Sequence, residues 1–115
     1  MKKNKKKIYI AGKVSGEEIG RCTMKFGTAQ VELEKMGFEA VNPLEVVGSF
    51  KTSWEEAMKK CIKALMDCDA AVFLPCASDS EGARLEFIIA ERVKIPIYMD
   101  IKDLKQWKSK LQPTT

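Results

Sequence analysis

Short apolar segments alternate with longer amphipathic segments along the chain. Residues 7–11 and 70–74 are nearly continuous in apolar character, which is typical of strands covered on both faces. Residues 38–41 and 95–99 complete a set of four predicted strands. Because the strands alternate with helical patterns, the sequence predicts an α/β fold with a parallel sheet and right-handed crossovers.

Between the predicted strands, apolar side chains recur at spacings of three and four residues, as on one face of a helix. The first helix ends at Gly37, which tolerates a left-handed backbone. Ser53 and Glu56 have the spacing of a capping box, which predicts the start of the second helix, and residues 44–52 before it are interpreted as a loop. A third helical segment covers 83–93, and Asp100 can cap a last one.

The expected architecture is a three-layer, flavodoxin- or Rossmann-like parallel sheet of four, at most five, strands in the order 2-1-3-4, with helices on both faces. In this order the switch point lies between strands 1 and 3. The loop at 12–16 and the segment at 78–86 are therefore expected to form one pocket. We assign 7–112 to a single domain and 1–6 to a basic, disordered tail.

The charge distribution changes the expected partners. The net charge of +4 includes five lysines within residues 2–7, before the first apolar run, so the rest of the chain carries −1, which argues against a nucleic-acid polymer as partner. No apolar run approaches the roughly 20 residues of a membrane span, and no signal peptide is evident. Four cysteines, no histidine and no C-x-x-C spacing predict a reduced, cytoplasmic protein without a metal or cofactor.

Segment 78–86 is the first candidate for chemistry, because it links a buried strand to a helix start. In open α/β sheets, ligands bind beyond the carboxyl ends of the strands. The N–H groups of Gly82 and Ala83 would face that crevice and attract an anion. The Glu86 carboxylate would point into it, although an exposed glutamate paired with Arg84 fits the pattern as well. Ser80 fits the helix N-cap.

Several short motifs, in this order and spacing, resemble the nucleoside 2-deoxyribosyltransferase-like superfamily. They are the segment 8–12, Asp69 at the start of the third strand, and Ser80-x-Gly82-x-x-x-Glu86. Further motifs resemble a small, uncharacterised bacterial and phage branch near the 2′-deoxynucleoside 5′-monophosphate N-glycosidases: Leu33-x-x-x-Gly37-Phe38, Asn42-Pro43 and the segment 82–86. The resemblance spans about residues 7–100.

The resemblance implies cleavage or transfer of the N-glycosidic bond of a nucleoside or nucleoside 5′-monophosphate. Glu86 matches the nucleophile that attacks the anomeric carbon, and Tyr9 matches a tyrosine that orients it. Asp69 is carried over as a third catalytic residue, although an aspartate at a strand start also suits a structural role as an acceptor from backbone N–H groups.

Ser80 indicates a phosphorylated ligand, because relatives that act on monophosphates carry a serine at this position. By the same resemblance, we expect a 5′-phosphate to be held by residues of the two loops, namely Gly12, Lys13, Ser15, Gly16, Ser80 and Gly82.

Cys61 departs from the pattern, since relatives carry an aspartate eight residues before Asp69. Either Asp79 or Glu81 replaces that carboxylate, or activity is weak, altered or absent. The alternatives to an enzyme are a non-catalytic nucleotide-binding or sensing domain and a small interaction protein without a ligand. A homodimer is also expected, with Trp54, Phe26 and Phe50 partly at its interface. Trp54 could instead lie at the edge of the pocket or in the core.

Overall fold

A four-stranded, all-parallel sheet in the order β2-β1-β3-β4 forms the middle layer of the protein. This order confirms the predicted α/β architecture. The computed structural model describes residues 5–111, with side chains up to residue 107, so most of the predicted tail at 1–6 and the last residue assigned to the domain lie outside the described residues. The strands are β1 (Lys7–Ala11), β2 (Glu39–Val41), β3 (Ala70–Phe73) and β4 (Ile97–Tyr98).

Helices cover both faces of this sheet, and their ends follow the local sequence signals. The Ser53 hydroxyl accepts a hydrogen bond from the Glu56 N–H at 3.2 Å, as the capping box predicts. Gly37 has the left-handed φ of 94° expected after the first helix. The helices are α1 (Ile19–Lys35), α2 (Pro43–Val47), α3 (Trp54–Met66), α4 (Glu81–Arg92) and α5 (Leu104–Leu111).

Helix α2 corrects the interpretation of residues 44–52 as loop throughout. The Asn42 side chain accepts from the Leu44 N–H at 3.0 Å, and Gly48 ends the helix with a φ of 81°. The helix has only five residues, which is too short for a periodic apolar pattern to reveal. Asn42 also donates to the Gln30 side chain at 3.1 Å, which fixes α2 against α1.

The pleat of β1 divides the core into two clusters, because successive side chains of a strand point to opposite faces. Ile8 and Ile10 face α1 and α5, whereas Tyr9 and Ala11 face α3 and α4. Phe26, which was expected near a dimer interface, is fully buried in the first cluster. No helix within residues 5–111 combines the length and the apolar character needed to cross a membrane.

Truncation of Leu33 tests the first cluster. Leu33 is fully buried on α1, so Leu33→Ala is expected to lower the free energy of unfolding by about 2–5 kcal/mol through lost burial and a residual cavity. Met24→Ala on the same helix is the control, because Met24 is 72% exposed and its truncation is expected to cost less than about 1 kcal/mol. Urea denaturation measures both, and equal losses would contradict the described packing.

Candidate functional site

A cavity of about 420 Å³ opens at the carboxyl ends of β1, β2 and β3. The loop after β1 and the start of α4 both line it, so the two segments predicted to form one pocket do meet. The segment between β2 and α3 closes a third side. The lining residues that carry the chemistry discussed below are Tyr9, Gly12, Ser15, Gly16, Glu17, Phe50, Trp54, Cys61, Ser80, Gly82 and Glu86.

The Tyr9–Glu86 pair lies in the wall of this cavity. Tyr9 is fully buried in β1, and its hydroxyl donates to Glu86 Oε2 at 2.7 Å. Glu86 lies on α4 and is only 5% exposed. Among the described residues, Tyr9 is the one that hydrogen-bonds to this carboxylate, which leaves Oε1 for a ligand.

Burial dominates the electrostatics of the pair. It raises the pKa of Glu86 from 4.5 to about 7, against the lowering effect of the Tyr9 hydrogen bond. Burial and the neighbouring Glu86 charge raise the pKa of Tyr9, so the phenol keeps its proton and acts as a donor. Glu86 therefore exchanges a proton near neutral pH, and its ionised form could act as a general base or as a nucleophile.

Cys61 completes this cluster from α3. It is 7% exposed, lines the cavity and interacts with both Tyr9 and Glu86. Burial raises the pKa of its thiol, against a hydrogen-bonding contribution from Tyr9. Asp79 and Glu81 are exposed and do not line the cavity. Neither of them therefore replaces the aspartate that the sequence resemblance leads one to expect at position 61.

The start of α4 forms the cavity floor beside Glu86. Ser80 caps the helix, as predicted, and its Oγ accepts from the Ala83 N–H at 3.1 Å. That N–H is therefore engaged and not free for an anion, whereas the Ser80 hydroxyl proton can still be donated to a ligand. A Cβ at Gly82 would lie 2.8 Å from Met58 Sδ, so a side chain there would require Met58 to move.

The loop after β1 brings small residues and the Glu17 carboxylate to the cavity, but not the Lys13 side chain. Gly12, Ser15 and Gly16 line the cavity, but Lys13 does not. The Lys13 N–H donates to Cys76 Sγ at 3.3 Å, and its carbonyl accepts from the Lys25 ammonium at 3.0 Å. Lys13 thus anchors the loop to its surroundings through its backbone.

Asp69 lies away from the cavity. It precedes β3, at the amino end of the sheet, and its carboxylate accepts from the Lys7 N–H at 2.8 Å. The cavity is at the opposite, carboxyl end of the strands. The structure therefore places Asp69 where it holds the start of β1 and does not bring it to Tyr9 and Glu86.

The segment between β2 and α3 is the part of the site that the sequence interpretation missed. Phe50, which belongs to this segment, lines the cavity and is 48% exposed. Trp54, the first residue of α3, also lines it and is 39% exposed, which agrees with the pocket edge as one of the places expected for it. The signal was topological: β2 is the neighbour of β1 in the predicted order, so the segment that follows β2 must reach the same edge of the sheet.

Within residues 5–111, no group of three or more histidine, cysteine, aspartate or glutamate side chains is placed to hold a metal ion. The described lining of the cavity combines the carboxylates of Glu86 and Glu17, the Tyr9 phenol, the Cys61 thiol, several hydroxyls and the rings of Phe50 and Trp54.

Fold and site together define an α/β protein with a buried-carboxylate cavity at the carboxyl edge of a parallel sheet. A family model described as "Domain of unknown function (DUF4406)" matches residues 6–99, from β1 to β4, and the chain belongs to this family. Comparison with curated proteins and with solved structures found no match in either set.

The raised pKa of Glu86 predicts how stability depends on pH. The folded state holds the proton more tightly than the unfolded state does, so this group lowers the free energy of unfolding as pH rises from about 4.5 through 7. The expected loss is on the order of 3 kcal/mol. Glu86→Gln is expected to remove this component of the pH dependence.

Urea unfolding of wild type and Glu86→Gln at a series of pH values measures this difference. Glu91→Gln is the matched control, because Glu91 is an exposed glutamate on the same helix. A pH dependence in Glu86→Gln that equals that of the wild type would show that Glu86 does not titrate in the folded protein as described.

Proposed function

We propose that this protein cleaves or transfers the N-glycosidic bond of a nucleoside or nucleoside 5′-monophosphate, with Glu86 as nucleophile. The observation that carries the proposal is the 2.7 Å hydrogen bond from Tyr9 to a buried glutamate in the wall of a 420 Å³ cavity. A carboxylate held by one oxygen and open at the other suits attack on a sugar carbon. The sequence resemblance supports the same chemistry.

The attack begins at Glu86 Oε1, because Oε2 is occupied by the Tyr9 hydroxyl. A bond forms between this oxygen and the anomeric carbon, while the bond from that carbon to the base nitrogen breaks and its electron pair leaves with the base. Water then attacks the anomeric carbon, and the bond from that carbon to Glu86 Oε1 breaks and restores the carboxylate. The proton that the water loses balances the one that the departed base takes up, whereas a second base in place of water gives transfer. Tyr9 holds the carboxylate in position throughout.

The apolar and aromatic wall supports a ligand of this kind. A nucleoside needs a polar group at the sugar and a surface for a planar base. Glu86 and Ser80 supply the polar side, and the exposed rings of Phe50 and Trp54 supply a stacking surface.

A second candidate function is nucleotide binding or sensing without turnover. It is favoured by Cys61, which occupies the cavity wall beside Glu86 where a second carboxylate would assist departure of the base. Apart from Glu86, the lining residues include one carboxylate, Glu17, and it lies on the loop after β1. Tight binding of a nucleoside or nucleotide without release of base over hours would support this function.

Release of free base from a panel of nucleosides and 5′-monophosphates tests the first proposal. Glu86→Gln is expected to lower the rate on the order of 10³-fold or more, because no carboxylate remains to attack. Glu91→Gln on the same helix is expected to retain the wild-type rate. Turnover that survives in Glu86→Gln would rule out this mechanism.

The pH profile tests the role of Tyr9. The rate is expected to rise with pH through about 7 as Glu86 ionises. Since the Tyr9 hydrogen bond lowers the pKa of Glu86, Tyr9→Phe is expected to move this rise to higher pH. A profile that is unchanged in Tyr9→Phe would mean that the phenol does not act on the reacting carboxylate.

The homodimer expected from the sequence stays a prediction. Sedimentation at micromolar concentration tests it, and a monomer would contradict it.

A further inference from the structure

The charges around the cavity differ from those that a phosphate requires. Among the described residues that line the cavity, Glu17 and Glu86 carry carboxylates, and none is a lysine or an arginine. A phosphate monoester has a charge of about −2 at neutral pH, and proteins usually meet it with arginine, lysine or clustered N–H groups. The described part of the cavity wall therefore offers a 5′-phosphate no cationic side chain.

Three cationic side chains act on Glu17. The Lys25 ammonium lies 3.0 Å from Glu17 Oε1, and it also donates to the Lys13 carbonyl and to Cys76 Sγ. The Lys25 contact dominates the lowering of the Glu17 pKa, and Lys13 and Arg21 add to it. Glu17 thus stays ionised and balances positive charge beside the loop.

Arg84 is directed elsewhere. It begins near the cavity floor on α4, but its guanidinium donates to the Ser78 carbonyl at 3.4 Å, and it does not line the cavity. The Ala83 N–H at the same helix start is already bonded to Ser80 Oγ. The start of α4 therefore offers less to an anion than its position suggests.

We propose that Glu17 is a specificity-determining residue that makes the cavity select unphosphorylated nucleosides over their 5′-monophosphates. Its carboxylate lies in the wall at the loop after β1, where it pairs with the Lys25 ammonium at 3.0 Å and so keeps that cation from meeting a phosphate. This inference rests on the proposed function and names the substrate class within it. It also replaces the expectation that the loop after β1 holds a 5′-phosphate.

A charge series on the Glu17–Lys25 pair tests the proposal. The pair has a net charge of 0 in the wild type, +1 in Glu17→Gln, −1 in Lys25→Met and 0 in the double variant. Calorimetry gives the ratio of the dissociation constants of a 2′-deoxynucleoside and its 5′-monophosphate for each protein. We expect the wild type to prefer the nucleoside.

Glu17→Gln is expected to shift this ratio toward the monophosphate by about tenfold, which is 1.4 kcal/mol. Lys25→Met is expected to shift it in the opposite direction, and the double variant to return it toward the wild-type value. The shifts are expected to shrink as salt is raised, because partly exposed charges are screened.

Glu18→Gln is the matched control for a charge change on the neighbouring residue. Glu18 accepts from the Arg21 N–H at the start of α1 and does not line the cavity, so this variant is expected to leave the ratio unchanged. A wild type that prefers the monophosphate, an unchanged ratio in Glu17→Gln, or an equal shift in Glu18→Gln would each overturn the proposal.

Base release separates this proposal from the proposed function. Faster release from the monophosphate than from the nucleoside would preserve the glycosidase function and overturn the selectivity. Binding that follows the charge series without any release would preserve the selectivity and overturn the glycosidase function. Binding of neither ligand would overturn both.

Discussion

The structure of the site depends on the burial of one carboxylate against one phenol. Glu86 is 5% exposed, and Tyr9 supplies the hydrogen bond that makes such burial tolerable. Burial outweighs that bond, so the pKa of Glu86 rises to about 7. A group that is ordinarily a fixed surface charge becomes one that exchanges protons at neutral pH.

Backbone geometry brings these two side chains together. The pleat of β1 directs Tyr9 toward α3 and α4, and the close approach of these helices sets the position of Glu86. Gly82 lies where they meet, and a Cβ at that position would require Met58 Sδ, 2.8 Å away, to move. The Ser80 cap fixes where α4 begins and hence which of its side chains faces the cavity.

Much of this arrangement could be predicted from the sequence, because strong local signals set it. Continuous apolar character located β1, a capping box located α3, and Ser80 marked the start of α4. The alternation of elements then gave the strand order and placed two loops at one edge. Helix α2 could not be found in the same way, because five residues give no apolar period.

The errors concerning individual site residues have a common cause. A motif gives the position of a residue along the chain, whereas its role depends on which end of the sheet it occupies and what it already contacts. Asp69 precedes its strand, so a parallel sheet places it opposite the cavity, where it bonds to the Lys7 N–H. Lys13 lies within the correct loop, but the loop is held by its backbone and Lys13 does not line the cavity.

Covalent trapping tests most directly whether Glu86 is the reacting group. A 2′-fluoro nucleoside slows both steps by destabilising the cationic transition state, and a slowed second step allows a glycosyl ester to accumulate. Peptide mapping by mass spectrometry after acid quench is expected to find the sugar on Glu86 in the wild type and on no residue in Glu86→Gln. A sugar adduct on another residue, or release of base with no adduct at Glu86, would contradict the assignment.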